Sequence, residues 1–142
     1  MATINIADKY TTVEKKVELF SDFGVDLQAH PVKKDLIRYT NENAIKRSIL
    51  NILLTNYHER FYQPYFGANL RQMLFEPATP DTLANIRNYI ISAVKRFEPR
   101  VNIISVTLTL SQDEHQVYVN MTFSIINNSA PVTLNFILNR VR

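Results

Sequence analysis

The sequence predicts an α+β fold, in which N-terminal helices pack on a C-terminal three-stranded antiparallel sheet. Between residues 41 and 97, apolar side chains recur at spacings of three and four, as on one face of a helix. After Arg100 the period drops to two, which is typical of half-buried strands. Pro99 separates the two patterns, because it lacks an N–H donor and disfavours a helical conformation in the preceding residue.

The helical part is predicted over residues 36–100. Asn41 and Asn43 are candidate N-caps of a first helix, which runs to about Thr55. The segment 57–67 is rich in aromatic residues and contains proline and glycine, so we predict a structured loop held in place by buried rings. A short helical stripe follows over residues 70–75.

The clearest predicted helix spans about residues 80–97. Thr79 is its N-cap, Pro80 takes a first-turn position that tolerates proline, and Asp81 complements the positive end of the helix dipole. The apolar stripe that faces the sheet comprises Leu83, Ile86, Ile90, Ala93, Val94 and Phe97.

Three strands are predicted within residues 101–142, at about 106–111, 117–125 and 132–139, with turns at 112–115 and 127–131. Residues 132–138 carry no charge, whereas edge strands are usually protected by lysine, proline or a bulge. Such an edge indicates a mobile cover, an aggregation hazard or a partner strand. If a partner strand binds here, the interacting residues are Val132, Leu134, Asn135, Phe136 and Leu138.

The chain of 142 residues is long enough to bury a core, and we expect a single domain over residues 1–142. Residues 1–35 are expected to form an N-terminal arm and short extended segments. No N-terminal apolar run resembles a signal peptide, and no run is long enough to span a membrane. We therefore expect a protein that is soluble in the cytoplasm when it is made.

Composition excludes several classes of site. Cysteine is absent, which removes disulfides, thiolate metal sites and a cysteine nucleophile, and two glycines cannot build a glycine-rich phosphate loop. His30, His58 and His115 have no second ligand at a metal-binding spacing, so neither a metal nor a cofactor is predicted. The net charge of +3 is too small for a polybasic surface, and nucleic-acid binding is not expected.

The sequence predicts no catalytic site. Glycosidase chemistry needs two carboxylates, one of them with a raised pKa. Glu59 precedes Arg60, and Glu98 lies two residues before Arg100, so the neighbouring cation should lower the pKa of each glutamate. The serines lack the context of a nucleophile elbow.

Glu98, Pro99 and Arg100 form a corner with two opposite charges on either side of a rigid proline. One interpretation is a local ion pair, which contributes little if it is exposed. The other is a docking point for another chain. The residues alone leave both open.

Several motifs resemble the baseplate wedge protein family of contractile phage tails, which also includes the sheath-initiating component of type VI secretion baseplates. The resemblance covers about residues 36–140, with motif order and spacing kept. One departure is His58, which stands where the family has a glycine. This departure argues against a positive-φ backbone position there, although histidine is among the residues that tolerate one better. The motifs are Asn43-Ala44-Ile45, residues 48–55, Glu59-Arg60-Phe61, Pro64-Tyr65-Phe66-Gly67, Leu74-Phe75-Glu76-Pro77 and Phe97-Glu98-Pro99-Arg100-Val101.

The resemblance implies a structural, non-enzymatic role at the inner baseplate of a virion tail that assembles in the host cytoplasm. Glu98, Pro99 and Arg100, with Glu59 and Arg60, would organise contacts with a helical core bundle of other wedge subunits. The strand edge at 132–140 would template polymerisation of the tail sheath protein. Family members have also been labelled lysozymes, so a peptidoglycan hydrolase is the alternative. Phage tail and secretion machine both stay open.

Overall fold

The computed structural model describes residues 18–23, 27–32, 34–112, 115–126 and 128–139. After two short strands, three helices precede a three-stranded sheet, which confirms the predicted α+β class. In chain order the elements are β1 (Ser21–Phe23), β2 (Arg38–Thr40), α1 (Asn41–Leu54), α2 (Leu70–Leu74), α3 (Pro80–Phe97), β3 (Val101–Leu110), β4 (Gln116–Ile125) and β5 (Asn128–Asn139).

Helix α3 has the predicted bounds and the predicted cap. The Thr79 hydroxyl accepts a hydrogen bond from the Thr82 N–H at 3.2 Å, and Pro80 occupies the first turn. The helix ends at Phe97, because Glu98 adopts φ −128° and ψ 74° ahead of Pro99. The corner therefore follows directly from the proline.

The predicted side-chain cap of α1 is wrong. The helix begins at Asn41, after Thr40, and no side chain caps it. The Asn41 side-chain oxygen accepts instead from the backbone N–H of Leu19, at 2.8 Å, and more weakly from that of Phe20. Asn41 thus fastens the N-terminal segment to α1.

The described N-terminal residues form short extended pieces, as predicted. Strands β1 and β2 pair antiparallel, and Ala29 and Leu36 form an isolated bridge. Residues 1–17, the first part of the predicted arm, lie outside the described residues. None of the described helices is long and apolar enough to cross a membrane.

The sheet has the order β3-β4-β5 and is antiparallel throughout. Strand β3 begins at Val101, immediately after the corner. The predicted turn at 127–131 is too long, because β5 begins at Asn128 and Pro131 already pairs with Ser124. In the other turn, Asp113 and Glu114 lie outside the described residues.

One core joins the helices to the sheet. Side chains from α1 and α3 pack against the alternating apolar residues of all three strands. Phe123, at the centre of β4, is fully buried, and truncating such a ring costs about 3–5 kcal/mol. The buried set includes Ile45, Ile49, Ile52, Ile86, Ile90, Val94, Val106, Val119, Met121, Phe123, Val132 and Leu134.

The loop between α1 and α2 is structured, and the prediction that buried rings hold it is correct for Phe66, which packs against the core, but wrong for the tip of the loop. Phe61 and Tyr62 are 97% and 100% exposed. Backbone hydrogen bonds close the loop instead: the His58 N–H donates to the Pro64 carbonyl at 2.7 Å, and the Ala68 N–H donates to the Ile52 carbonyl at 3.1 Å. His58 has φ +68°, so the positive-φ position that the replacement of glycine argued against is nevertheless present.

Gly67 closes this loop against the end of α1. Its φ is +109°, and a Cβ atom built on it would stand 2.2 Å from the Thr55 carbonyl oxygen. We expect Gly67→Ala to lower the free energy of unfolding by at least about 1–3 kcal/mol, because strain and a backbone clash add. The control is His58→Gly, which relieves a left-handed residue in the same loop and should stay within about 1 kcal/mol of the wild type. Urea unfolding of both variants makes the comparison, and equal midpoints would contradict it.

Candidate functional site

The corner after α3 is built around a buried carboxylate. The Glu98 side chain is 2% exposed. Its two oxygens accept hydrogen bonds from Arg100 Nε at 2.5 Å and Arg100 Nη2 at 2.7 Å. The Ser48 hydroxyl, on α1, donates to Glu98 Oε2 at 2.6 Å. The pair is therefore more than an exposed ion pair at a helix end, because it connects α3, α1 and the start of the sheet.

The Glu98 carboxylate is held in its ionised form. Burial alone would raise the pKa of Glu98, but hydrogen bonds from Arg100 and Ser48 outweigh burial and lower it. Glu98 in turn raises the pKa of Arg100. The downward direction for Glu98 is the one predicted from the sequence.

Arg100 connects this buried carboxylate to the surface. Its side chain is 43% exposed and its guanidinium lies 5.0 Å from the centroid of the Phe20 ring. The Ile126 N–H donates to the Arg100 carbonyl at 3.0 Å, which fixes the backbone at the edge of the sheet. The Nε and Nη2 atoms of Arg100 donate to Glu98 and form a two-pronged contact, the fork, in which Nη1 takes no part.

Glu59 and Arg60 lie on the loop between α1 and α2. Both Glu59 oxygens accept from Asn56, one from its side-chain Nδ2 at 2.7 Å and one from its backbone N–H at 3.0 Å. These bonds lower the pKa of Glu59, and the charge of Arg71 adds to them. The predicted direction is correct, but the predicted cause is wrong, because Arg60 stacks 4.0 Å above the Phe66 ring instead.

A pair of aromatic rings links this loop to the corner. Phe66 and Phe97 lie with their centroids 4.9 Å apart, and Phe97 directly precedes Glu98. Glu59 also lines a groove of about 350 Å³ whose opposite wall includes Ile137 and Leu138 of β5. The loop thus borders both the corner and the end of the last strand.

Strand β5 is an edge strand in the described structure, where it pairs with β4 alone. Its buried side chains include Val132, Leu134 and Leu138, Phe136 is partly buried, and Asn135 is exposed. The predicted edge residues therefore belong to one strand, but most of their side chains face the core. The groups that this edge presents are therefore mainly backbone N–H and C=O groups.

The directions of the β5 backbone N–H and C=O groups follow from the register of the three strands. The Ser111 N–H donates to the Gln116 carbonyl, so every second β4 residue from Gln116 onward directs its N–H and C=O towards β3. Asn120 is one of them, and its partner on β5 is Asn135. Asn135 therefore directs its own N–H and C=O away from β4. By the same alternation, Thr133, Ile137 and Asn139 do so too.

Sequence reasoning missed the residues that position the site. The sequence assigns Ser48 no role beyond the 48–55 motif, although its hydroxyl borders the apolar stripe of α1 and can therefore bond a group on a helix or strand packed against it. The sequence pattern likewise assigns no role to Asn56, three residues before Glu59, or to Phe20. An asparagine three residues before a glutamate is a candidate for a local side-chain hydrogen bond, and this sequence signal could have predicted the Asn56–Glu59 contact.

No group of three potential metal ligands among His, Cys, Asp and Glu is found in the described ranges. His58 packs edge-on against Tyr65, with centroids 6.0 Å apart, and His30 Nδ1 accepts from the Val32 N–H at 3.2 Å. Both contacts fit loop histidines.

Comparison with protein families identifies the family to which the chain belongs. Residues 40–129, which run from the start of α1 to the start of β5, match the model of the family described as baseplate wedge protein gp25. The chain belongs to the gp25 family of baseplate wedge proteins. Baseplate wedge protein gp25 of Enterobacteria phage T4 is 33% identical over 111 residues, covering 78% of this chain and 83% of the T4 protein.

Solved structures have the same fold. A protein of Geobacter sulfurreducens described as a candidate tail lysozyme has a TM-score of 0.65 at 25% identity, covering 69% of this chain and 89% of its own. A chain of the six-fold symmetrised anti-feeding prophage baseplate gives 0.62 at 19% identity, with 87% of both chains covered. A chain of the postcontracted pyocin R2 baseplate gives 0.56 at 19%, covering 69% and 96%. The last two support the fold alone.

The lowered pKa of Glu98 predicts a pH-dependent contribution to stability. A carboxylate whose pKa is lower in the folded state stabilises the fold above its unfolded pKa, and the effect is lost as pH falls through the folded pKa. Wild type should therefore exceed Glu98→Gln in urea midpoint at pH 7, and the gap should close in acid below the ordinary glutamate range. A gap that does not change with pH would contradict the assignment.

Proposed function

We propose that this gp25-family chain is a structural subunit of a contractile-tail baseplate, which docks on other wedge subunits through the Glu98–Arg100 corner and templates the tail sheath through the open edge of β5. The observation that carries the proposal is the row of β5 backbone groups directed away from β4. Family membership supports the baseplate location, and assembly in the host cytoplasm is part of the proposal.

The corner suits docking because its geometry is set before a partner arrives. Glu98 fixes two nitrogens of Arg100, whose side chain is 43% exposed, and Nη1 is left for an acceptor on a neighbouring subunit. A preorganised guanidinium loses less side-chain freedom on binding than a mobile one. Pro99 is exposed next to it and adds a rigid apolar contact. A helical bundle with acceptors on its surface is the partner that this corner fits.

The β5 edge suits strand addition because it presents outward backbone donors over a stretch with a defined start. Pro131 pairs with Ser124 and follows the same alternation as Asn135, so its ring occupies a place where an N–H would otherwise face outward. The open donors begin at Thr133 and continue at Asn135 and Ile137. An added strand gains about 0.5–1.5 kcal/mol net per ladder hydrogen bond.

The hydrolase alternative has less support from the carboxylates. Glu98 is buried and occupied by Arg100 and Ser48, and Glu59 is bonded by Asn56. The pKa is lowered at both glutamates, whereas a general acid needs a raised pKa. We therefore propose a non-enzymatic role.

Nucleic-acid binding is also not proposed. The basic residues of the helices would have to share one face to follow a phosphate backbone. Arg71, Arg87 and Arg96 line three different grooves, and Arg47 stacks 5.4 Å from the Tyr39 ring. These contacts give no support to nucleic-acid binding.

Arg100→Lys tests docking while keeping a cation beside the buried Glu98. Lysine cannot form the fork or present the planar face, so we expect a folded protein whose incorporation into baseplates drops about tenfold or more. Circular dichroism checks folding, and particle yield in the source system lacking the native gene measures incorporation. The control is Arg38→Lys, in an exposed ion pair with Glu18, which should behave as wild type. Normal yield with Arg100→Lys would disprove the docking role.

Asn135→Pro tests the strand edge. Proline removes an outward donor but no hydrogen bond to β4, so baseplates should form and sheaths should be missing. Asn135→Ala removes the same side chain and keeps the donor, so it should support normal sheaths. Electron microscopy of particles separates the outcomes, and sheaths of normal length on the proline variant would exclude this edge as the template.

A cell-wall clearing assay tests the alternative activity. The purified chain should release no material from peptidoglycan at any pH between 4 and 8, because neither glutamate has a raised pKa. Hen lysozyme serves as the positive control, and Glu98→Gln as the matched negative. Clearing by wild type that disappears in Glu98→Gln would favour the hydrolase over the structural role.

A further inference from the structure

A second groove, separate from the corner fork and from the β5 edge, runs between α3 and the loop after α1. Its volume is about 330 Å³. Its floor includes the small buried residues Gly67 and Ala68, which leave room for another chain to approach closely. Its walls include Tyr57, Asn88, Tyr89, Ser92, Arg96 and Phe97.

The charged side chain that lines this groove is positive. Within the described part of the chain, Arg96 is the charged residue among its walls, and no acidic side chain lines it. Two tyrosine hydroxyls, a serine hydroxyl and an asparagine amide supply further hydrogen-bond donors. A ligand that enters is therefore offered positive charge and donors with no opposing carboxylate.

The guanidinium is held in place by aromatic rings. Arg96 lies 5.2 Å from the Phe97 centroid, and Phe97 packs against Phe66, on which Arg60 stacks at 4.0 Å. Two arginines thus stack on one pair of rings. A stacked arginine keeps its planar fork available for a carboxylate at a smaller entropic cost.

We propose that this groove binds a segment of a partner protein through an aspartate or glutamate side chain, which pairs with Arg96 while an adjacent apolar or aromatic side chain packs on Phe97 and Tyr89. The volume suits two or three side chains, not a large ligand. A carboxylate matches the single guanidinium better than a phosphate does. Phosphate carries a charge of about −1.5 to −2, whereas Arg96 supplies a single positive charge, and the negative, C-terminal end of the α3 dipole opposes a phosphate more strongly than a singly charged carboxylate.

The test uses two capped tetrapeptides, Ala-Tyr-Glu-Ala and Ala-Tyr-Gln-Ala, titrated into the full isotope-labelled chain. We expect the glutamate peptide to shift the amide signals of Ala68, Ser92 and Arg96 and to bind about tenfold more tightly than the glutamine peptide. Because the readout is binding to the isolated chain, its result does not depend on the proposed baseplate role.

Two variants locate the binding. Arg96→Gln should abolish the preference for the glutamate peptide. Lys95→Gln loses the same charge at the neighbouring exposed position, which does not line the groove, and should retain the preference. An equal loss of the glutamate preference in both variants would show that the preference depends only on overall charge, and this result would overturn the proposal.

Two further measurements exclude other occupants. Inorganic phosphate should displace the peptide only at the concentrations where chloride does; stronger displacement would assign the groove to phosphate. Sedimentation should show no self-association that Arg96→Gln removes. If it does, the groove accepts a second copy of this chain, and the proposal is overturned.

Discussion

The architecture depends on one buried carboxylate at the point where helix changes to strand. Pro99 ends α3, and the residue before it must leave the helix, so the Glu98 side chain enters the interior between Ser48 and Arg100. A buried charge without partners would be strongly destabilising, whereas a fully bonded one mainly enforces a single arrangement. Here the hydrogen bonds of Glu98 fix the place where α1, α3 and the start of β3 meet.

The surfaces proposed for partners share a small aromatic centre. Phe97 directly precedes Glu98 and packs on Phe66, and each ring has an arginine stacked on it. Gly67 follows Phe66 and packs so closely on Thr55 that no side chain fits between them. Displacement of this centre would disturb both the corner and the groove that Phe97 lines.

Sequence reasoning succeeded where one residue imposes a local rule and failed where the outcome depends on packing. Thr79 and Pro80 determine the start of α3, and Pro99 its end, because capping and proline geometry act within one turn. Asn41 is equally suited to cap a helix, yet it bonds Leu19 and Phe20, a choice that requires knowing where the N-terminal segment lies. Ser48 lies fifty residues from Glu98, so only the packing of α1 on α3 brings them together.

The open edge of β5 must also avoid promiscuous pairing. No charged residue protects it, so specificity has to come from its two ends. Pro131 removes the outward donor at one end. At the other end, Ile137 and Leu138 border a groove whose opposite wall bears Glu59 and Arg71, so a strand that extends past the ladder meets charges of both signs. If a partner strand adds to β5 as proposed, it must stop short of Pro131 and match this wall, and these two constraints would select one register.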